Sequence, residues 1–171
     1  NKAYTGTDNE LLFLGIFQNK KFSPKQRYLD VLLENRLSKA MEVDRFTGKK
    51  DTQLLIYGND SIKRIVLTGL GDQKKYTNDR TRSVASELTR YVNSLQLSEF
   101  SVDGDSFGLQ KNVCAQAFAE GIVLGSYEFK DYKTKKDEDV KANAVTIFGN
   151  VDKKSLDKGF ILGTSVGFSR D

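Results

Sequence analysis

Leu11-Leu12-Phe13-Leu14-Gly15-Ile16-Phe17, followed shortly by Ser23-Pro24-Lys25-Gln26, is the junction whose reading decides the fold class. A short unbroken apolar run bounded by polar residues is the pattern of a strand covered on both faces, hence of a central strand. The second segment combines an N-cap serine, a proline at the first helical position and a glutamine placed to complete a capping box. A helix is therefore expected from Pro24 onward. Its buried stripe is Leu29, Leu32, Leu33, Leu37 and Ala40, while Lys25, Asp30, Glu34 and Lys39 stay in water.

Working outward, Thr47-Gly48-Lys49-Lys50-Asp51 reads as a turn, and residues 52–57 and 62–68 as two strands joined by Gly58-Asn59-Asp60-Ser61 in a β-hairpin. Thr77 or Asn78 can cap the next helix, in which Val84, Ala85, Leu88, Tyr91, Val92 and Leu95 repeat at helical spacing. Phe100 and Val102 alternate with polar neighbours as a short strand. The stretch 109–125 is helical and apolar on most sides, with Ala115, Ala117, Ala119 and Gly121 small enough to let it lie close to a sheet. A strand over 144–148 and a helix from near Asp152 complete the order βαββαβαβα. That order favours an α/β fold, a mixed β-sheet of about five strands with helices on both faces. No linker rich in proline, glycine or serine divides the chain, so residues 1–171 are expected to form one domain.

At 171 residues with 38% hydrophobic side chains, the chain is long enough to bury roughly 70% of its unfolded surface without a staple. Lys+Arg 27 against Asp+Glu 23 gives a net charge of +4, an excess spread along the whole length. Nucleic-acid binders usually concentrate such charge on one face, so nucleic acid is not an expected partner. The absence of histidine removes the usual general base, the Ser-His and Cys-His arrangements and all histidine-containing metal sites. The single cysteine, Cys114, cannot form a disulfide within the chain, points to a reducing compartment and is expected to be buried and inert. No apolar run approaches the roughly 20 residues that cross a bilayer, and residues 1–10 lack the apolar core of a signal peptide. The expected location is cytoplasmic, and the uncapped final helix suggests a piece of a longer polypeptide.

Several motifs invite chemistry and are outweighed by structural readings. Gly69-Leu70-Gly71 lies between a strand and a helix, as phosphate loops do, but the third glycine is missing and a structural turn is the better reading. Asp103-Gly104-Asp105 and Asp137-Glu138-Asp139 are the tight carboxylate clusters; neither continues as a calcium loop, and both read as solvated loop charges. Gly159, Gly163 and Gly167 recur every fourth residue, where each costs about 1 kcal/mol relative to alanine, which suggests that close approach to a sheet or another subunit offsets it. The segment 127–136 interleaves Tyr127, Phe129 and Tyr132 with lysines, a pattern that can stack bases, although a surface excursion anchored by its aromatics accounts for it better.

The same segment carries a family resemblance. Glu120-Gly121 and Leu124-Gly125-Ser126-Tyr127, then Phe129, Tyr132, Lys133, Thr134 and Lys135-Lys136, are similar to the corresponding stretch of leucyl aminopeptidases. Phe46-Thr47-Gly48-Lys49 and the strand Ile65-Val66-Leu67-Thr68-Gly69-Leu70-Gly71 fall in the order expected of that family, and residues 163–171 look like the helix that leads towards its catalytic domain. The resemblance implies a macro-domain-like fold and a single N-terminal non-catalytic domain, with the catalytic domain absent from this chain. It further implies a parent metalloexopeptidase, a hydrolase of cytoplasmic proteolysis, that holds two divalent metals, zinc or manganese, takes peptide substrates and assembles as a homohexamer. No catalytic, cofactor or metal role falls within the chain on this reading, and its expected partners are its own C-terminal catalytic domain and further subunits. Gly121, Gly125, Ser126, Tyr127, Phe129, Tyr132, Lys133, Thr134 and Lys135 are the family-motif and assembly candidates. The alternative is a macro-like binding module for ADP-ribose, another nucleotide or nucleic acid.

Overall fold

The computed structural model describes Tyr4, residues 9–126 and residues 141–168. Its strands are β1 (Asn9–Phe17), β2 (Gln53–Asn59), β3 (Ile62–Gly71), β4 (Glu99–Asp103) and β5 (Ala144–Phe148). The helices are α1 (Pro24–Leu32), α2 (Arg36–Val43), α3 (Asn78–Ser94), α4 (Asn112–Ser126) and α5 (Lys153–Phe168). One five-stranded sheet runs in the order β2-β3-β1-β4-β5. Strand β1 is parallel to both β3 and β4, and β2 is antiparallel to β3, so the sheet is mixed as expected.

The chain divides into two compact units. The first takes Asn1–Tyr76, Ser101–Phe107 and Ile147–Gly149, and the second Thr77–Phe100, Gly108–Thr146 and Asn150–Asp171. In the first unit, Leu11, Leu12, Phe13 and Leu14 of β1 are all fully buried. Successive side chains of a strand point to opposite faces, so β1 is covered on both, as its sequence requires. Leu12 and Leu14 lie beside Ile65 and Leu67 of β3 and share a core with Leu29 of α1, Leu33 just after it and Leu37 of α2.

The helix expected from Pro24 forms with its full capping box: Ser23 Oγ accepts from Gln26 N–H at 3.2 Å and Gln26 Oε1 accepts from Ser23 N–H at 3.0 Å. It does not run on through Ala40. Glu34 (φ 55) and Asn35 (φ 61) turn left-handed, ending α1 and starting α2 in a new direction. Asp30, expected in water, is only 5% exposed, and its Oδ1 accepts from Leu37 N–H at 2.9 Å and Ser38 N–H at 3.1 Å. A carboxylate from α1 thus satisfies the orphan donors of α2, a role that the nominal cap Asn35 does not fill with its side chain. The break turns Leu32 outward from its expected stripe, to 41% exposed.

Gly69-Leu70-Gly71 is not a turn but the last stretch of β3. A Cβ on Gly69 would come within 1.9 Å of the Lys49 carbonyl oxygen, because the 47–52 loop is hydrogen-bonded onto the strand: Gly69 N–H donates to Thr52 O at 2.8 Å and Gly71 N–H to Gly48 O at 2.9 Å. The glycines serve close backbone approach rather than a phosphate.

In the second unit, Thr77 caps α3 through Arg80 N–H at 3.2 Å, and Val84, Ala85, Leu88 and Val92 are its fully buried apolar positions. Asp152 caps α5, accepting from Ser155 N–H at 3.3 Å and from its hydroxyl at 3.1 Å. Helix α4 packs against both α3 and α5. Gly121 was expected to let it lie near a sheet; instead a Cβ on Gly121 would lie 2.2 Å from the Arg82 carbonyl oxygen, and one on Gly125 2.6 Å from that of Ser86, both on α3. Gly159 and Gly163 of α5 make the matching approach from the other side, with their Cβ positions 2.3 Å from Gln116 O and 2.8 Å from Val123 Cβ. Their four-residue spacing serves helix-to-helix packing inside the chain. Cys114 is half-buried rather than buried, its Sγ 3.8 Å from Asn78 Oδ1.

Candidate functional site

The most chemically distinctive cluster of the first unit lies where β1 and β4 end side by side. In open α/β sheets this carboxyl edge, at the point where connections leave in opposite directions, is where ligands bind. Here β1 connects onward to the β2–β3 side and β4 lies on the other side. The strand end Asp103 is 1% exposed, and Lys25, two residues into α1, reaches it with Nζ–Oδ1 at 3.2 Å. The same ammonium meets Asp105 Oδ2 at 3.1 Å and lies 4.7 Å from the centre of the Tyr4 ring. Tyr4, 2% exposed, packs edge-on against Phe148 with ring centroids 5.6 Å apart, and its hydroxyl feels the negative charge of Asp103.

Backbone groups hold this cluster in place. Ser106 Oγ donates to Asp103 O at 2.7 Å and accepts from Gly15 N–H at 2.8 Å, while Gly15 O accepts from Gln26 Nε2 at 3.1 Å. Gly15 is obligatory, since a Cβ there would sit 2.8 Å from Leu70 Cδ1 and 2.9 Å from Ser106 O. Gly149 (φ +107) leaves the room that the Asp105 carboxylate fills, 2.4 Å from where its Cβ would be. Burial pushes the Asp103 carboxyl above its ordinary value, and the Lys25 ammonium beside it pulls back. Burial, reinforced by Asp103, pushes the Tyr4 hydroxyl far above the ordinary phenol value, so it stays protonated. Asp103 and Lys25, read from sequence as solvated charges, are thus the closed electrostatic centre of this edge. Lys25 is thereby engaged by two carboxylates at once.

In the second unit, the Arg82 guanidinium of α3 grips Glu120 of α4 through Nε at 2.8 Å and Nη2 at 2.7 Å, and also meets Asp79 at 2.6 Å. Of the motif candidates, Gly121 and Gly125 are the α3-facing contacts described above, and Ser126 closes the helix by donating its hydroxyl to Val123 O at 2.7 Å. Tyr127, Phe129, Tyr132, Lys133, Thr134 and Lys135 lie outside the described residues, as does the cluster Asp137-Glu138-Asp139. Among the described residues, no three His, Cys, Asp or Glu side chains come together in a way that could hold a metal ion. Those residues therefore do not fit a two-metal centre.

Sequence reasoning missed Tyr4 and placed Lys25 in water. A tyrosine near a chain start carries no periodic signal, and Lys25 gave none beyond its place in the first helical turn.

Comparison with known proteins bears on what this assembly belongs to. A model of the N-terminal domain of the cytosol aminopeptidase family matches residues 13–136. A probable cytosol aminopeptidase of Sulfurihydrogenibium sp. (strain YO3AOP1) is 32% identical over 169 residues, covering 94% of this chain and 34% of that protein. Among solved structures, a tomato leucine aminopeptidase mutant aligns with a TM-score of 0.75 at 22% identity, over 94% of this chain and 34% of its own. The bottromycin maturation enzyme BotP in complex with Mn aligns with a TM-score of 0.67 at 17% identity, over 95% of this chain and 31% of its own. The chain spans about a third of the length of each of these proteins.

Proposed function

The chain belongs to the cytosol aminopeptidase family, as its N-terminal domain, and from that premise we propose that it serves the assembly of a metal-dependent aminopeptidase and shapes access to an active site built elsewhere in the parent. The parent removes N-terminal residues from peptides in the cytoplasm. It does so with two divalent metals, zinc or manganese, and works as a homohexamer. This domain is non-catalytic and has the catalytic domain of its own polypeptide as its first partner.

The observation that supports the reading is the family match itself, which falls on the N-terminal domain model over residues 13–136. The sequence contains no histidine, which takes away the commonest general base and every histidine-containing metal site. What the domain contributes is shape. Glycine-spaced helices stiffen the second unit and a buried ion pair closes a strand edge of the first, each suited to holding subunits or a catalytic domain in register.

The test compares this 171-residue chain with the full-length parent on leucine p-nitroanilide, each supplied with Mn²⁺ or Zn²⁺. Turnover is expected from the parent alone. Metal-dependent turnover by the chain by itself would overturn the reading, and a parent that sediments as a monomer would remove the role in assembly.

A further inference from the structure

Strand β2 is an edge of the sheet, with β3 on one side and no strand of the described residues on the other. Its register against β3 decides which of its backbone groups are taken. Thr52 O accepts from Gly69 N–H at 2.8 Å, and Gln53 and Thr68 are the next pair along. In an antiparallel ladder, pairs that exchange hydrogen bonds alternate with pairs that do not. Leu54 and Ile56 therefore turn their N–H and C=O groups towards β3, while Gln53, Leu55 and Tyr57 turn theirs outward. Arg36 of α2 agrees with this assignment, for its Nη1 donates to Gly58 O at 2.7 Å and also reaches Tyr57 O at 3.5 Å. That arginine covers one end of the edge and leaves the stretch from Gln53 to Tyr57 open.

Edge strands are usually guarded by a charge, a proline or a bulge. Gln53-Leu54-Leu55-Ile56-Tyr57-Gly58-Asn59 contains neither a charge nor a proline, and its ladder to β3 runs without a register shift. Tyr57 stands 69% exposed on it. Charge is kept to the two ends of the strand, with opposite sign. Lys49, Lys50 and Asp51 before it carry +1 between them, and Asp60 after it carries −1. Lys50 meets Asp51 at 3.9 Å with both side chains well exposed, a contact of little weight. Asp60 has no ion-pair partner among the described residues.

We propose that the β2 edge pairs antiparallel with the β2 edge of a second copy of this chain, about a two-fold axis at Leu55. The register follows from the outward groups. Setting Leu55 against its own mate places Gln53 opposite Tyr57 of the second copy and Tyr57 opposite its Gln53, so every outward-facing residue of the open stretch finds a partner. The same register brings the Lys50 end of each strand to the Asp60 end of the other, twice per dimer. This charge complementarity selects a second copy over a foreign strand, because one sequence supplies both halves of the match. The proposal deepens the assembly role above and rests on it for the kind of partner.

The experiment is sedimentation equilibrium of the full chain together with cross-linking. An edge this short buries well under the roughly 1,600 Å² of a standard interface, so weak dimerisation is expected, with a Kd on the order of 100 μM. In a Cys114→Ser background, Leu55→Cys should form a disulfide-linked dimer under diamide, since directly paired Cα atoms lie about 5.5 Å apart. Tyr57→Cys should not, because its mate would be about 14 Å away along the strands. Lys50→Glu or Asp60→Lys alone should weaken association about fivefold at low salt, and the two together should restore it. A chain still monomeric at about 1 mM would overturn the proposal. Equal cross-linking at positions 55 and 57, or a double charge variant no better than the single ones, would overturn it too. The pairing and the assembly role fail separately: a monomeric chain refutes the pairing even where the parent is a hexamer, whereas a monomeric parent whose isolated domain cross-links at position 55 upholds the pairing and removes the role.

Discussion

The helix layer α3–α4–α5 and the carboxyl edge of β1 and β4 are each held tightly, by opposite means. In the helix layer the decisive atoms are absent ones: Gly121, Gly125, Gly159 and Gly163 let backbones approach to distances no side chain permits. At the strand ends the decisive atoms are charges under cover, with Asp103 buried against Lys25 and Tyr4. The first kind of contact is steric and indifferent to pH. The second is electrostatic and changes with every proton gained or lost, so the two regions should fail under different stresses.

The largest effect should come from Gly121→Ala, whose new methyl would sit 2.2 Å from the Arg82 carbonyl oxygen and force α3 and α4 apart. A loss of about 3 kcal/mol in urea unfolding is expected, the same at pH 4 and pH 7. A loss below about 1 kcal/mol would show that the helices part more easily than the geometry says.

Next, Lys25→Met strands Asp103 as a buried carboxylate. Removing one partner of a buried pair costs about 3–5 kcal/mol, discounted here to about 2 because Lys25 is itself 31% exposed. The sign with pH follows from the raised carboxyl. Its folded form holds the proton more tightly than the unfolded chain, so stability contributed by protonation is complete below the ordinary value of 3.8 and is lost as pH rises through the folded value. Without Lys25 that value rises further, and the cost of the substitution should grow from pH 4 to pH 7. Equal costs at the two pH values would erase the contrast with Gly121.

Tyr4→Phe should change stability by no more than about 1 kcal/mol at neutral pH, because it removes a buried hydroxyl and keeps the edge-on packing against Phe148. It should also flatten the alkaline limb. The raised Tyr4 hydroxyl supplies stability that is full below 10.0 and declines above it, as the unfolded chain begins to ionise. Thermal melts at pH 8 and pH 11 read the difference, and an unchanged alkaline decline in the variant would place its origin elsewhere.

The smallest effect is expected from Arg82→Met. The Arg82–Glu120 pair spans the same helices as Gly121 yet is partly exposed, so about 0.5 kcal/mol is expected, shrinking with added salt. A loss rivalling that of Gly121→Ala would mean that the seam is electrostatic after all.

Most of the architecture was legible in the sequence, because it rests on local periodicity. The apolar run of β1, the capping box at Ser23, the cap at Thr77 and the strand Ala144–Phe148 were all readable from neighbouring residues. What escaped were features set by distant partners. The break at Glu34 and Asn35 has no glycine or proline to announce it; it depends on Asp30 capping a helix that starts six residues later. Asp103 looks like a loop charge until the sheet places it beside Lys25, 78 residues away in sequence. Gly121 and Gly125 were singled out by resemblance, whereas their physical role, contact with α3, needed coordinates.

Helix α4 has no clearance on either side, and that limits how this layer can respond to a pull or a docking partner. Sliding one helix along another requires side chains to ride over each other's ridges, and here carbonyl oxygens stand in the path at Arg82, Ser86 and Gln116. Shear is blocked, so displacement of any one of the three helices must carry the other two with it. Amide exchange along α4 should accordingly proceed in one cooperative opening shared with its flanking helices, rather than residue by residue.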